Sequence, residues 1–179
     1  MFDAALATAS LELCDTQYVT TIDTLLAANA AYAANFVQVP PGVPHVALVL
    51  CMDARIDPIR VLGIPPGHAH IIRNAGGRVV EALRSLIVSQ QMIGTDEVAI
   101  VHHTECGMQT FTNDEIHDRL RERFGPAADP LEFHPFTNLE ESVREDLALY
   151  RATPFLRQDI PVRGFIYDVG TGKLGEVAG

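Results

Sequence analysis

The feature that most constrains the fold is a series of short apolar runs separated by segments with helical periodicity. Three of these runs, residues 45–51, 70–73 and 97–102, consist largely of Val, Ile, Leu and Ala. They lack the polar alternation of a strand with one solvated face, so both faces of each strand should be buried. Strands of this kind, with helices between them, predict an α/β fold with a parallel sheet.

The remaining periodic segments complete this architecture. Helices are predicted for four segments, at residues 57–62, 79–93, 113–124 and 138–150. A fourth strand is predicted at residues 162–169, and the turn Gly170-Thr171-Gly172 leads to a short last strand at 174–177. We therefore expect a central, mostly parallel sheet of four strands plus a short edge strand, with helices on both faces.

The N-terminal part of the chain predicts a helical arm. Residues 16–36 are Ala-rich with apolar residues at helical spacing, and a Pro-rich connector follows at 39–44. Residues 1–15 have weak periodicity and are expected to form either an extra helical turn or a loose arm. A length of 179 residues suits one domain over 1–179.

The charge distribution excludes several classes of partner. The formal net charge is -10, and no Lys or Arg precedes Arg55. A secretory signal needs an early positive region, and nucleic acids and anionic membranes are recognised through clustered positive charge. The longest apolar run, residues 46–52, is much shorter than the ~20 residues of a membrane helix. A cytoplasmic protein without nucleic-acid or membrane partners is expected.

Two cysteines and a histidine follow the ends of predicted strands. Cys51 ends the first strand, and His103 and Cys106 follow the third with the spacing His-x-x-Cys. Parallel strands end at the same edge of a sheet, where α/β proteins place their ligand sites. Two thiolates and one imidazole suit Zn²⁺ and leave a fourth position for water or substrate. Cys14 has no such partner nearby and is expected to be inert.

Asp53 and Arg55 follow the first of these ligands. In an extended chain, alternation would point Cys51, Asp53 and Arg55 to one side, which would bring a carboxylate and a guanidinium to the metal. Asp53 could bind the fourth zinc position, or it could pair with Arg55 and accept a hydrogen bond from zinc-bound water. The residues leave both states open.

Three separated motifs together resemble the β-class carbonic anhydrases, in a short form related to hydrolases of carbonyl sulfide and carbon disulfide. They are Cys-x-Asp-x-Arg at 51–55, Arg-Asn-Ala-Gly-Gly at 73–77 and His-x-x-Cys-Gly at 103–107. The resemblance implies that Cys51, His103 and Cys106 bind zinc. It implies that Asp53, with Arg55 as its partner, is an alternative fourth ligand or orients hydroxide. A homodimer or larger homo-oligomer, with the N-terminal helix reaching a neighbouring subunit, is also implied.

The implied reaction is reversible hydration of CO2 to bicarbonate and a proton by zinc-bound hydroxide. Gly107 would offer its N–H to the substrate and Met108 would line the pocket. The alternatives are hydrolysis of carbonyl sulfide or carbon disulfide with release of hydrogen sulfide, a non-catalytic zinc scaffold, and a redox dithiol pair. The proton carrier stays open among five histidines: His68, His70, His102, His117 and His134.

Overall fold

A five-stranded sheet forms the centre of the chain. The structure, a computed structural model, describes residues 20–38, 42 and 44–179. The strands are β1 (Val46–Cys51), β2 (Ala69–Asn74), β3 (Glu97–His103), β4 (Val162–Tyr167) and β5 (Leu174–Val177). Their order in the sheet is β2-β1-β3-β4-β5, in which the first four pair in parallel and β5 pairs antiparallel with β4. The predicted fold class is confirmed.

The described residues contain five α-helices beside the strands: α1 (Thr21–Ala33), α2 (Pro58–Leu62), α3 (Val79–Val88), α4 (Asn113–Phe124) and α5 (Leu139–Ala152). The helix predicted over 79–93 is not regular throughout, because Ser89–Ile93 forms a π-helical turn after α3. The N–H groups of Gly94 and Thr95 both donate to the Ser89 carbonyl, and the Ser89 hydroxyl donates to Thr95 Oγ1. These bonds close the wider turn before β3 begins.

Strand β1 is buried on both faces, and its residues alternate between two apolar clusters. Ala47 and Val49 pack in a cluster with residues of α3 and α5. Leu48 and Leu50 face the other side of the sheet and share a cluster with Ile56 and with residues of α2. This alternation confirms the prediction of helices on both faces, and it fixes which side of each strand end faces the core.

The chain divides into two compact units, one that includes the described residues 20–38 and one that includes residue 42 and residues 44–179. In the first unit, α1 begins with a capping box between Thr20 and Asp23 and contains no buried residue. The predicted arm at 1–15, Cys14, the start of the helix predicted over 16–36 and most of the connector at 39–44 lie outside the described residues. The single domain expected over 1–179 stays a prediction. None of the helices described here combines the length and the apolar composition needed to cross a membrane.

Gly77 is expected to be the glycine most sensitive to substitution near the end of β1. Its φ is 72°, and a Cβ there would meet the Cys51 nitrogen and the Leu50 carbonyl carbon at 2.9 Å. Gly77→Ala should therefore lower the free energy of unfolding by on the order of 2–4 kcal/mol, measured by denaturant titration. Gly63 is the matched control, because its φ is 63° but no atom lies within 4 Å of its Cβ position. Gly63→Ala should cost about 1 kcal/mol, and equal losses for the two variants would contradict the steric account.

Candidate metal centre

Three potential metal ligands meet where β1 and β3 end. The two strands are parallel neighbours in which Leu50 pairs with Val101, so Cys51 and His103 leave the sheet side by side. Cys106 returns to them after a short turn, and its Sγ lies 3.9 Å from Cys51 Sγ. One ligand atom from each residue lies within 4.8 Å of the others, and all three residues are buried. The predicted convergence is confirmed.

The hydrogen bonds of His103 leave one ring nitrogen free for a metal. Nδ1 lies 2.9 Å from the Thr104 carbonyl oxygen, which can only accept a hydrogen bond, so Nδ1 carries the proton. Nε2 is then the basic nitrogen, and it is buried without a hydrogen-bond partner. A carbonyl that fixes the far nitrogen of a ligand histidine is the usual arrangement at zinc sites. Tetrahedral zinc with Zn–S bonds of about 2.3 Å places two sulfurs about 3.8 Å apart, so this donor set fits zinc.

The acidity of the two thiols is strongly coupled. The contact with Cys106 is the main cause that lowers the pKa of Cys51 to about 4, and His103 and the backbones of Asp53 and Gly76 lower it further. The same contact with Cys51, together with burial, raises the pKa of Cys106. Burial lowers the pKa of His103. The neighbouring Cys51 raises this pKa, and the net effect is that the pKa of His103 lies above its ordinary value. A bound divalent cation would take the place of these shared protons.

Asp53 and Arg55 meet through a turn, because β1 ends at Cys51. The prediction that an extended chain brings them together was wrong: the Asp53 carbonyl accepts from the Ile56 N–H, which closes the turn. The Arg55 guanidinium donates to both carboxylate oxygens of Asp53, at 2.9 Å from Nη2 and 3.1 Å from Nε. These bonds lower the pKa of Asp53 to about 2. Asp53 Oδ2 lies 3.9 Å from His103 Nε2, beside the ligand group.

The motif at residues 73–77 supports the backbone beside the metal ligands. Arg73 donates to the Cys51 carbonyl at 2.9 Å and to the Asp53 carbonyl at 2.6 Å. Asn74 exchanges two side-chain hydrogen bonds with the backbone of Arg78, which closes the loop. Gly76, at φ 79°, is buried against Met108. The motif thus holds the end of β1 in position, a role that its composition alone did not indicate.

A cavity of about 480 Å³ opens beside the ligand group. Its walls are mainly apolar, and its lining residues are Cys51, Met52, Asp53, Ala54, Ala75, Gly76, Cys106, Gly107, Met108 and Phe111. Met108 therefore lies where the pocket was expected, and Gly107 borders the same space. Among the described residues that line the cavity there is none of the five histidines considered as proton carriers.

His102 points away from the ligand group into the core. It is fully buried, with Nδ1 at 2.8 Å from Ser142 Oγ and Nε2 at 3.0 Å from Asp146 Oδ2. Its ring also stacks on Phe136, with centroids 5.5 Å apart. These contacts join β3 to α5 and show a packing role for this histidine.

Sequence reasoning did not identify Glu105 as part of the site. Arg55 Nη1 lies 2.8 Å from Glu105 Oε2, and Arg55 Nη2 lies 3.2 Å from the Glu105 carbonyl oxygen. Glu105 has a φ of 56°, in the left-handed region. The only sequence signal was an acidic residue inside the His-x-x-Cys motif. Its partner stands 50 residues earlier, and no local pattern connects the two.

Comparisons with known proteins agree with this geometry. A family model described as carbonic anhydrase matches residues 46–174, a range that contains all three ligands. Beta-carbonic anhydrase 1 of Mycobacterium tuberculosis (strain H37Rv) is 44% identical over 165 residues, which are 89% of this chain and 99% of that protein. The crystal structure of carbonic anhydrase from Streptococcus mutans is 44% identical with a TM-score of 0.82, covering 89% of this chain and 98% of that one. Carbon disulfide hydrolase of Saccharolobus solfataricus is 30% identical over an alignment of 161 residues, and the match covers 74% of this chain and 78% of that protein.

Proposed function

The chain belongs to the β-carbonic anhydrase family, and we propose that it catalyses the zinc-dependent, reversible hydration of CO2 to bicarbonate and a proton. The observation that carries the proposal is His103 Nε2, a buried nitrogen without a hydrogen-bond partner beside two cysteine sulfurs. The 44% identity to a protein named beta-carbonic anhydrase 1 supports CO2 as the substrate.

In this proposal Cys51, His103 and Cys106 hold the metal. Bound zinc supplies a Lewis acid and lowers the pKa of a coordinated water to near neutral. The position of the Thr104 carbonyl fixes the His103 ring, and Arg73 fixes the backbone of Cys51. The three ligands are therefore held in place before a metal arrives, which favours one coordination geometry.

Asp53 and Arg55 orient the reacting groups in this proposal. With a pKa of about 2, Asp53 is ionised at neutral pH and can only accept hydrogen bonds. A group that binds Asp53 at the cavity must therefore donate a hydrogen bond to the carboxylate. The lone pairs of that group then point away from Asp53. The apolar wall that includes Met108 and Phe111 suits uncharged CO2, and the Gly107 N–H is proposed to bind a substrate oxygen. Direct binding of Asp53 to the fourth metal position stays a prediction.

Hydrolysis of carbonyl sulfide or carbon disulfide at the same site is the second candidate. It is supported by the relatives at 30% identity that are named carbon disulfide hydrolases. Both reactions begin with attack of an activated water on the carbon of a linear, uncharged triatomic molecule. The ligands and the apolar cavity suit either substrate, and the higher identity to carbonic anhydrases favours CO2.

Two assays on the same zinc-loaded preparation separate these candidates. We expect about one zinc per chain by elemental analysis. Stopped-flow indicator assays should show CO2 hydration far above that of the metal-free protein, with negligible sulfide release from carbonyl sulfide or carbon disulfide. Sulfide release without CO2 turnover would reverse the assignment, and bound zinc without either activity would indicate a non-catalytic site.

A homodimer or larger homo-oligomer is proposed from the same family resemblance. The apolar residues Ile22, Leu25 and Leu26 of α1 are between 63% and 68% exposed, which is consistent with a helix that packs against another subunit. Cytoplasmic localisation stays a prediction of the sequence.

A further inference from the structure

The Arg55 guanidinium is held along two of its edges. One edge, formed by Nε and Nη2, faces the carboxylate of Asp53, at 3.1 and 2.9 Å. The other edge, formed by Nη1 and Nη2, faces Glu105, whose carboxylate accepts at 2.8 Å and whose carbonyl accepts at 3.2 Å. Because the guanidinium is planar, fixing the second edge fixes the direction of the first.

The backbone of Glu105 is arranged for this contact. Residues with a Cβ enter the left-handed region at a cost in free energy, yet Glu105, which directly precedes Cys106, has a φ of 56°. Strain of this kind persists where surrounding contacts over-determine the conformation, and it concentrates at functional sites. Here it places the carbonyl and the side chain of one residue on the same guanidinium.

We propose that Glu105 is a positioning residue that anchors Arg55 and thereby keeps Asp53 away from the fourth metal position. Asp53 Oδ2 is only 3.9 Å from His103 Nε2. Its carboxylate is therefore close enough to compete with water for the fourth position of a metal bound by Cys51, His103 and Cys106. The backbone N–H of Arg55 donates to Asp53 Oδ1 at 2.8 Å, and the guanidinium adds the contacts that fix the direction of the carboxylate. Glu105 is the other carboxylate partner of that guanidinium. The inference rests on the proposed zinc site. It adds a residue that sets the open fraction, which is the fraction of protein molecules in which Asp53 does not occupy the fourth metal position.

Loss of the Glu105 side chain should reduce the open fraction of the site. The probe is azide, a small anion that needs a free metal position, titrated into zinc-loaded protein by calorimetry. The Glu105 and Arg55 side chains are 71% and 48% exposed, so solvent screens their attraction and the effect is modest. Glu105→Ala should weaken azide binding by on the order of two- to five-fold. It should lower kcat for CO2 by the same factor with KM unchanged, because both need the same open state.

Three variants separate positioning from simple stability. Glu140→Ala removes another exposed glutamate that pairs with an arginine at 2.8 Å, on α5, and should leave azide affinity and kcat unchanged. Glu105→Gly relieves the φ strain but also lacks the side chain, so it should unfold at higher denaturant than Glu105→Ala while showing the same loss of azide affinity. Glu105→Gln keeps an oxygen acceptor for Arg55 Nη1 and should recover part of that affinity.

The azide measurement is independent of the identity of the substrate. If the protein proved inactive toward CO2, the proposed reaction would fail, but azide affinity would still report whether Glu105 controls the open state. An azide affinity for both Glu105→Ala and Glu105→Gly equal to that of Glu140→Ala would overturn the inference. The inference would also be overturned if azide affinity fell in proportion to the free energy of unfolding across the variants, with Glu105→Gly binding azide as tightly as the wild type.

Discussion

Cys106→Ser is expected to abolish stoichiometric metal binding and with it all catalysed turnover. Cys106 is 2% exposed and supplies one of three potential ligand atoms, and among the described residues no third cysteine lies near Cys51 and His103 to replace its sulfur. A serine hydroxyl ionises far less readily than a thiol and is a poor ligand for zinc. Metal affinity should fall by more than about 100-fold, since changes to partners of ligands already cost 10–100-fold. Elemental analysis after dialysis and the stopped-flow CO2 assay measure the two losses.

The third cysteine provides the matched control for this substitution. Cys14→Ser makes the same chemical change outside the described residues, at a position that the sequence predicts to be inert. It should keep the metal and the full rate. A Cys106→Ser protein with native circular dichroism that still retained one zinc per chain would exclude Cys51, His103 and Cys106 as the metal site.

Arg55→Ala is expected to leave zinc bound but to lower CO2 turnover by more than about 100-fold. Arg55 is not a ligand, and the three ligand residues keep their positions in the variant through Arg73 and Thr104. Asp53 loses the guanidinium, which is the main cause that lowers its pKa to about 2, and keeps the hydrogen bond from the backbone N–H of residue 55. Since the ordinary pKa of 3.8 and the lowered one both lie on the acid side, Asp53 stays ionised at neutral and alkaline pH. The loss should therefore have the same size throughout that range.

The shape of the guanidinium, and not its charge alone, is expected to matter. Arg55→Lys keeps a positive charge but cannot bridge two carboxylates along fixed edges, so it should restore only a small part of the rate. Arg60, an exposed arginine of α2, serves as the matched control, and Arg60→Ala should retain full activity. Turnover by Arg55→Ala close to that of Arg60→Ala would show that Asp53 needs no partner. Glu105→Ala should change kcat in the same direction as Arg55→Ala, but less.

The fold and the meeting of three potential metal ligands could be predicted because both follow from patterns along the chain. Apolar runs too short for helices and without polar alternation require strands buried on both faces, and the intervening helices make those strands parallel. Parallel strands end at one edge, which predicts that Cys51 and His103 lie near each other, and the pairing of β1 with β3 makes the two strand ends neighbours. Cys106 follows three residues later and cannot lie far away.

The state of Asp53 could not be predicted, because it depends on contacts among residues far apart in the sequence. The turn after β1 brings Asp53 and Arg55 together, where an extended chain had been expected. Glu105 reaches Arg55 only through its left-handed φ. The π-helical turn at Ser89–Ile93 likewise depends on the buried contact between Ser89 and Thr95.

The sequence by itself therefore determined the α/β fold, the meeting of Cys51, His103 and Cys106, and the choice of a soft donor set that suits zinc. Strand burial, strand direction and ligand chemistry are properties of local patterns and residue types, and these can be read without coordinates. Only the tertiary structure decided how Asp53 is held, which nitrogen of His103 is free, and that Glu105 belongs to the site. Hydrogen bonds depend on distances of a few tenths of an ångström between groups brought together by folding, and no local pattern encodes those distances.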